Sequence, residues 1–250
     1  YAKQPQCRTV QHELEAAWSE LTGESVNMLA SGRTDAGVHA HGQVVHFNTT
    51  TDFDSGRVAS ALNSKFGDDL VIRESVEMAS DFHASESAQL KHYIYRIATG
   101  STPPVLDNLT CEWVPQRLNI AAMRDACQYF IGTHDYESFA AAKRTTSTTI
   151  RTVTNVHIQI QRDRIIIHVR GTGFLYKMVR NMVGSLIEVG RGRQQPIWIK
   201  GLLRVCDRNL AGATAAAKGL TLYRVHYLKE PFSQLHKPSP LRYPRRTTND

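Results

Sequence analysis

Ser31-Gly32-Arg33-Thr34-Asp35-Ala36-Gly37-Val38-His39 is the stretch around which the rest of the sequence can be organised. An apolar run over 26–30 precedes it and an alternating run over 43–48 follows it, so two strands are predicted around a loop. The glycines let the backbone bend and approach a bulky ligand closely. Asp35 is a candidate nucleophile or base, and Arg33 can keep it ionised or hold a phosphate. A turn-capping role for Asp35 explains the same pattern.

The composition of the 250-residue chain is that of an ordinary globular protein with a basic excess. It carries 30 Lys and Arg against 23 Asp and Glu, a formal net charge of +7. This charge favours a polyanionic partner without distinguishing nucleic acid from an acidic membrane surface. No apolar run approaches the roughly 20 residues that span a bilayer, so we do not expect an integral membrane protein, and no membrane is among the predicted partners. The four scattered cysteines form no C-x-x-C pair and are typical of reduced intracellular thiols.

Hydrophobic periodicity predicts two α+β halves. In the first half we predict a helix from Thr9 to Gly23, strands over 26–30 and 43–48, a helix from Ser55, and strands over 70–76 and 89–98. In the second half we predict a helix from Asn119 to Gly132, a hairpin of strands over 151–160 and 164–169, helices over 174–189, 197–205 and 211–218, and a strand over 220–228. Prolines at 103–104 mark the boundary, which gives halves 1–104 and 105–231 and a basic, proline-rich, peripheral tail, 232–250.

Three histidines near Asp35 suggest a metal site. His39, His41 and His46 supply imidazoles, but an H-x-H pair without an H-E-x-x-H motif or a cysteine partner is a weak zinc signature. Ordinary loop and strand histidines explain the pattern better, and we expect no metal. Gly171-Thr172-Gly173 lacks the remainder of a dinucleotide-binding or P-loop motif, so no nucleotide cofactor is expected either.

Two further positions carry both a structural and a functional interpretation. Tyr93 shares one face of a predicted strand with Lys91 and Tyr95, where it can pack in a core or stack on a nucleobase. Arg180 lies within an apolar helical stretch and either extends to solvent or points inward. An inward guanidinium needs an anionic partner, because a lone buried charge is costly. Asp35 is the first partner to test.

Four segments, taken together and in this order, carry a family resemblance. The first is Gly32–His39 with its continuation to Phe47, and the second joins Asp81-Phe82-His83-Ala84 to Lys91-His92-Tyr93-Ile94-Tyr95. The third runs from Gly173 to Gly184 and the fourth from Ala216 to Val225. With their spacing they resemble the tRNA pseudouridine synthases of the TruA family, from Tyr1 to about Pro231.

The resemblance implies a fold, an activity and partners. The fold would be the α+β pseudouridine synthase fold, in which two similar halves share a central, mostly antiparallel sheet, with helices outside and the active-site cleft between. The activity would be isomerisation of uridine to pseudouridine at positions 38–40 of the tRNA anticodon stem-loop, without cofactor or metal. The partners would be tRNA and a second copy in a homodimer. The location would be cytoplasmic, with an organellar enzyme not excluded.

The resemblance also assigns roles to four residues. Asp35 matches the catalytic aspartate, and Arg180 the arginine that pairs with it. Tyr93 matches the tyrosine that packs against the target uracil, and Arg33 the arginine that helps to extrude the nucleotide. The carboxylate can attack the base, attack the sugar or remove a sugar proton, and all three routes stay open.

Several alternatives remain at this point. The protein can be an RNA-binding protein of the same fold, a synthase with another uridine target, or a metal hydrolase using His39 and His41. Family members usually open with a strand and a Tyr-Asp-Gly turn, so either a strand precedes Tyr1 or the central sheet is altered. Two basic stretches, Lys143-Arg144 and Arg191-Gly192-Arg193, are equally compatible with tRNA contact and with solvated turns.

Overall fold

The computed structural model describes residues 1–4, 6–141, 147–229 and 231–232. Its regular elements, in chain order, are α1 (Val10–Thr22), β1 (Leu29–Ala30), β2 (His39–Ala40), β3 (Val45–His46), α2 (Ser55–Asn63), β4 (Ala88–Thr99), β5 (Glu112–Val114), α3 (Ile120–Gln128), β6 (Gly132–Asp135), β7 (Ile150–Gln161), β8 (Arg164–Gly171), α4 (Met178–Gly190), α5 (Trp198–Val205) and β9 (Leu220–Tyr227). Short 3₁₀ turns lie at Glu137–Phe139, Arg208–Leu210 and Ala217–Gly219. Within these residues, no helix has the length and apolar character needed to cross a membrane.

The first helix begins and ends where its capping residues predict. The hydroxyl of Thr9 accepts a hydrogen bond from the backbone N–H of His12, and Gly23 adopts the left-handed conformation that ends the helix. Asn119 caps α3 in the same way through the N–H of Ala122. These two helix starts are confirmed, as is the predicted hairpin of β7 and β8.

The central sheet is mixed and mostly antiparallel, which confirms the predicted fold class. Among the described residues it has seven strands in the order β2-β9-β4-β8-β7-β6, with β5 paired to the end of β4. The pairs β2–β9 and β4–β5 are parallel and the remaining pairs are antiparallel. The closing strand β9 therefore lies between β2 and β4, which both come from the first half of the chain.

The two faces of this sheet differ in chemistry. One face packs against α3 and α4 around fully buried side chains such as Tyr95, Ile167 and Met182. The opposite face carries His92, whose Nε2 lies 3.0 Å from Nδ1 of His168. Tyr93 and Tyr95 belong to the helix-covered face, so the site-forming side chains of β4 point toward α4.

A smaller core lies beside the sheet, beneath the first two helices. Trp18 of α1 is buried together with Leu14, Met28 and Leu62, and the ring of Phe47 meets the Trp18 ring edge-on at 5.0 Å. This core supports the two-stranded β1–β3 ribbon, in which Leu29 pairs with His46. The ribbon brings the two ends of the Asp35 loop together.

The predictions of a strand over 70–76 and of a helix over 211–218 are wrong. No strand forms over 70–76, because the backbone of Ile72 is satisfied by a side chain: its N–H donates to Asn63 Oδ1 and its carbonyl accepts from Asn63 Nδ2, both at 2.7 Å. No helix forms over 211–218 beyond a 3₁₀ turn. There the N–H of Ala215 donates to the carbonyl of Arg180 instead of to the carbonyl of residue 211, and the carbonyls of Ala215 and Ala216 accept hydrogen bonds from the side chains of Arg180 and Tyr95.

Other elements are shorter than predicted. Helix α4 begins at Met178 rather than 174, since Lys177 has φ +60° and interrupts the helical backbone. The predicted strands over 26–30 and 43–48 reduce to the two-residue strands β1 and β3. Helix α3 ends at Gln128, and Gly132 instead starts β6 with φ +125°.

Candidate active site

Asp35 lies in the loop between β1 and β2, and hydrogen bonds fix the position of the start of this loop. Ser31 is fully buried, and its N–H donates to the carbonyl of Val44 at 2.8 Å. Its hydroxyl donates to Gln43 Oε1 at 2.7 Å, while Gln43 Nε2 donates to the carbonyl of Gly32 at 2.8 Å. One amide side chain thus joins the entering and leaving arms of the loop.

The far end of the loop is fixed against β9. His39 and Ala40 pair in parallel with Thr221 and Leu222. Gly42 passes so close to this strand that a Cβ there would lie 2.6 Å from the carbonyl oxygen of Tyr223. Gly42 and Gly37 are therefore glycines for distinct reasons: Gly42 permits close backbone approach, and Gly37 has φ +77°.

The predicted pair of Asp35 and Arg180 is present. Arg180 Nη1 donates to Asp35 Oδ2 at 2.8 Å, and the side chains are 13% and 20% exposed, respectively. Arg180 Nε donates to the carbonyl of Ala215 at 2.8 Å, whose own N–H donates back to the Arg180 carbonyl at 3.2 Å. The guanidinium is therefore held from two sides, and it fixes the position of the carboxylate.

Tyr93 lies on the central strand β4 beside this ion pair. Its ring meets the ring of Phe174 edge-on at 5.1 Å, and the residue is 9% exposed. Burial, with the negative charge of Asp35 as the second cause, raises the pKa of Tyr93 to about 12. The hydroxyl is consequently neutral at physiological pH, and the charge of Asp35 is near enough to contribute to this shift.

Arg33 has a different setting from Arg180. It is exposed, two residues before Asp35, and within the described residues it makes no hydrogen bond or ion pair. Because Asp35 is already paired with Arg180, the exposed guanidinium of Arg33 is available to a ligand that approaches from solvent. The second basic stretch, Arg191 and Arg193, forms ion pairs with Glu188. Lys143 and Arg144 lie outside the described residues.

The histidines near Asp35 are used separately. His39 Nε2 lies 2.7 Å from the carbonyl oxygen of Leu109, and the His41 ring stacks on Tyr223 at 5.3 Å. His46 Nδ1 accepts a hydrogen bond from the N–H of Ala84. In the described parts of the chain, no group of three or more His, Cys, Asp or Glu side chains is arranged to hold a metal ion.

Sequence reasoning missed two supports of this site. Gln43 belongs to the alternating run after the loop, and nothing in its spacing marks its amide as a bridge between loop arms. Tyr95 shares a face with Tyr93, which is a usable signal, but its hydroxyl serves the distant backbone. It donates at 2.7 Å to the carbonyl of Ala216 and lies 2.5 Å from Glu112 Oε2. The segment that receives Arg180 is therefore held by Tyr95 as well.

These groups can act together on a flat heterocycle. A half-buried carboxylate, paired with a guanidinium, can attack an electrophilic carbon or remove a proton. An aromatic ring at its side can stack on the heterocycle, and an exposed arginine can hold an adjoining phosphate. The arrangement suits a reaction on one nucleotide drawn out of a nucleic acid.

Comparison with known proteins gives one consistent result. A family model described as tRNA pseudouridine synthase matches residues 1–85 and 126–228, which include Asp35 and Arg180 and leave Tyr93 between the two matched parts. The chain is 44% identical over 228 residues to tRNA pseudouridine synthase A of Shouchella clausii, covering 91% of this chain and 87% of that protein. It is 42% identical to the enzymes of the same name from Brevibacillus brevis, with 90% and 92% covered, and Geobacillus kaustophilus, with 92% and 90% covered. The chain belongs to the tRNA pseudouridine synthase family.

Proposed function

We propose that this protein isomerises uridine to pseudouridine in tRNA, with Asp35 as the reacting carboxylate. The observation that carries the proposal is the convergence of Asp35, Arg180 and Tyr93 from three distant parts of the chain. A protein that only binds RNA has no need of a buried carboxylate, because a negative charge repels phosphates. The relatives named tRNA pseudouridine synthase A support the same activity.

The reaction needs no net oxidation or reduction. The bond between N1 of uracil and C1′ of the ribose breaks, a bond from C5 to C1′ forms, the C5 proton leaves and N1 gains a proton. Asp35 serves by attacking the base, attacking C1′ or removing a sugar proton, and Arg180 holds its charge in place. The ring of Tyr93 stacks on the uracil while the base is detached and turned.

The substrate site is the anticodon stem-loop of tRNA, at positions 38–40. A uridine there must leave its stack to reach Asp35, and the exposed Arg33 occupies the mouth of the site, where it contacts the backbone and helps the nucleotide to turn outward. The net charge of +7 supplies sequence-tolerant attraction to phosphates that weakens as salt rises.

The assembly proposed is a cytoplasmic homodimer of two-part subunits. Residues 1–104 bring Asp35 and Tyr93 to the cleft and residues 105–231 bring Arg180. The predicted tail, 232–250, lies outside the described residues beyond Phe232. Light scattering coupled to size exclusion, at several protein concentrations, tests the dimer. A mass of a single chain at every concentration would contradict it.

Tritium release from tRNA transcripts labelled at C5 of uridine tests the activity. We expect release by the unaltered protein in the presence of EDTA, and loss of release in Asp35→Asn, which keeps the side-chain shape. Asp163→Asn, in the exposed β7–β8 turn, is the matched control and should keep full activity. Transcripts in which uridine 38, 39 or 40 is replaced by cytidine one at a time identify the modified position.

Other results would point to the alternatives. Retained tRNA binding without any release by the unaltered protein would indicate an RNA-binding protein that does not catalyse. Release that disappears in EDTA would favour metal chemistry at His39 and His41. Release that persists when all three anticodon-stem uridines are replaced would place the target elsewhere in the tRNA.

A further inference from the structure

Lys91 contacts the start of the Asp35 loop from the central strand. It lies two residues before Tyr93 on β4, so both side chains emerge from the same face, about 7 Å apart along the strand. Its Nζ donates a hydrogen bond to the carbonyl oxygen of Ser31 at 2.6 Å. Burial lowers the pKa of this ammonium.

No carboxylate in the described part of the chain balances the charge of Lys91. No ion pair involving Lys91 occurs among the described residues. Partial burial of an ammonium without a counter-ion costs free energy, and an apolar side chain of similar length would fill the space without that cost. The contribution of the charge lies in its hydrogen bond to Ser31, since a charged donor binds a carbonyl more strongly than a neutral one.

Two side chains donate hydrogen bonds to consecutive backbone carbonyls at the start of the loop. Lys91 holds the carbonyl of Ser31, and Gln43 Nε2 holds the carbonyl of Gly32 at 2.8 Å. A Cβ on Gly32 would lie only 3.3 Å from Lys91 Nζ, so the glycine leaves room for the ammonium. The backbone three residues before Asp35 is thereby tied to the strand that carries Tyr93.

We propose that Lys91 is a positioning residue for the isomerisation. It acts through the Ser31 carbonyl to set the distance between Asp35 and Tyr93, and it does not touch the reacting atoms. This inference rests on the proposed function, because it concerns the geometry of that same site. A small displacement of a reacting group is enough to lower the rate about 100-fold, so the effect should appear in kcat and leave KM for tRNA nearly unchanged.

Steady-state tritium release by Lys91→Met and Lys91→Arg tests the proposal, with Lys200→Met on the exposed face of α5 as the control. We expect kcat to fall about 100-fold in Lys91→Met, with KM within about twofold of the unaltered protein. Lys91→Arg keeps a charged donor and should recover most of the rate. Amide hydrogen exchange over residues 31–37, measured without tRNA, should be faster in Lys91→Met only.

The two measurements separate this inference from the proposed function. If the unaltered protein is inactive on every tRNA, the function fails, while exchange over 31–37 still reports whether Lys91 orders the loop. A rise in KM with kcat preserved would make Lys91 a phosphate contact and overturn the proposal. Unchanged kcat and unchanged exchange in Lys91→Met would also overturn it. If Lys91→Met does not fold, Lys91→Gln, which keeps a neutral donor, decides by the same readouts.

Discussion

The guanidinium of Arg180 donates from Nη1 to Oδ2 of Asp35 across 2.8 Å, although 145 positions separate the two residues. Its Nε donates to Ala215, so one side chain joins the Asp35 loop, helix α4 and the segment before β9. The position of the carboxylate therefore depends on backbone near the end of the described chain. This arrangement makes Arg180 the first residue to test.

Replacing Arg180 should reduce catalysis more than binding. Arg180→Met leaves the half-buried Asp35 without its counter-charge, and Arg180→Lys supplies a single ammonium that cannot meet both Asp35 and Ala215. We expect kcat to fall about 100-fold for Met and less for Lys, measured by tritium release. Arg204→Met, on the exposed end of α5, should be unaffected. Equal losses in Arg204→Met and Arg180→Met would contradict the role of the ion pair.

The contribution of Tyr93 should depend on its ring. Stacking of a base on an aromatic side chain is worth about 1–3 kcal/mol, so Tyr93→Leu should lower kcat/KM by about 5- to 150-fold. Tyr93→Phe keeps the ring and its edge-on contact with Phe174, and should lose much less. Single-turnover rates on one tRNA transcript check the order. If Phe and Leu lose activity equally, the hydroxyl carries the contribution instead.

Two helix glycines should respond to alanine in opposite directions. A Cβ on Gly184 of α4 would lie 1.7 Å from the carbonyl oxygen of Ala213, whereas a Cβ on Gly201 of α5 would meet nothing within 4 Å. Gly184→Ala should destabilise the fold by about 2–3 kcal/mol or more, and Gly201→Ala should stabilise it by up to about 1 kcal/mol. Urea unfolding midpoints measure both. A stabilising Gly184→Ala would contradict the packing of α4 against 212–215.

Acid should destabilise the fold through His92 and His168, which lie on the sheet face opposite α3 and α4. Burial, followed by the charge of Arg170, lowers the pKa of His92 to about 3, and burial with the charge of His157 lowers that of His168 to about 4. Between pH 6.5 and these lowered pKa values, the histidines are protonated in the unfolded chain and neutral in the folded chain. The free energy of unfolding therefore falls as pH falls. His92→Phe removes one such group. Between pH 7 and pH 4, the free energy of unfolding should therefore fall by about 2 kcal/mol less in His92→Phe than in the unaltered protein.

Chemical unfolding at the two pH values checks this dependence. His92→Phe also leaves His168 Nδ1 without its partner, so the variant should be less stable at pH 7. The informative quantity is therefore the change between pH 7 and pH 4 rather than either value alone. A change equal to that of the unaltered protein would show that His92 does not contribute.

Elements with strong local signals were predictable from the sequence. Thr9 and Gly23 mark both ends of α1, and the alternating runs around 161–163 predict the β7–β8 hairpin. The candidate site was accessible through Asp35 and Arg180, because a guanidinium that points inward from an apolar stretch needs an anionic partner. The four motifs then supplied the family, which the comparisons confirm.

The remaining errors come from contacts between distant residues. Residues 211–218 have helical composition, yet their carbonyls serve Arg180 and Tyr95, and tertiary hydrogen bonds override local propensity. Ile72 pairs with the side chain of Asn63, which no period of two or 3.6 residues can signal. Gln43 and Lys91 were not predicted as supports of the Asp35 loop for the same reason. Only their position in space gives them that role.

The placement of β9 between β2 and β4 has a consequence for the order of assembly during synthesis. β2 is the arm that leaves the Asp35 loop, and its described backbone partner is residues 221–222 of β9. Closing so long a separation in sequence is slow compared with local helix formation. In a nascent chain that has emerged only as far as α5, the Asp35 loop therefore lacks its pairing with β9. Competence to act on RNA should arise late, after residues 220–227 have left the ribosome.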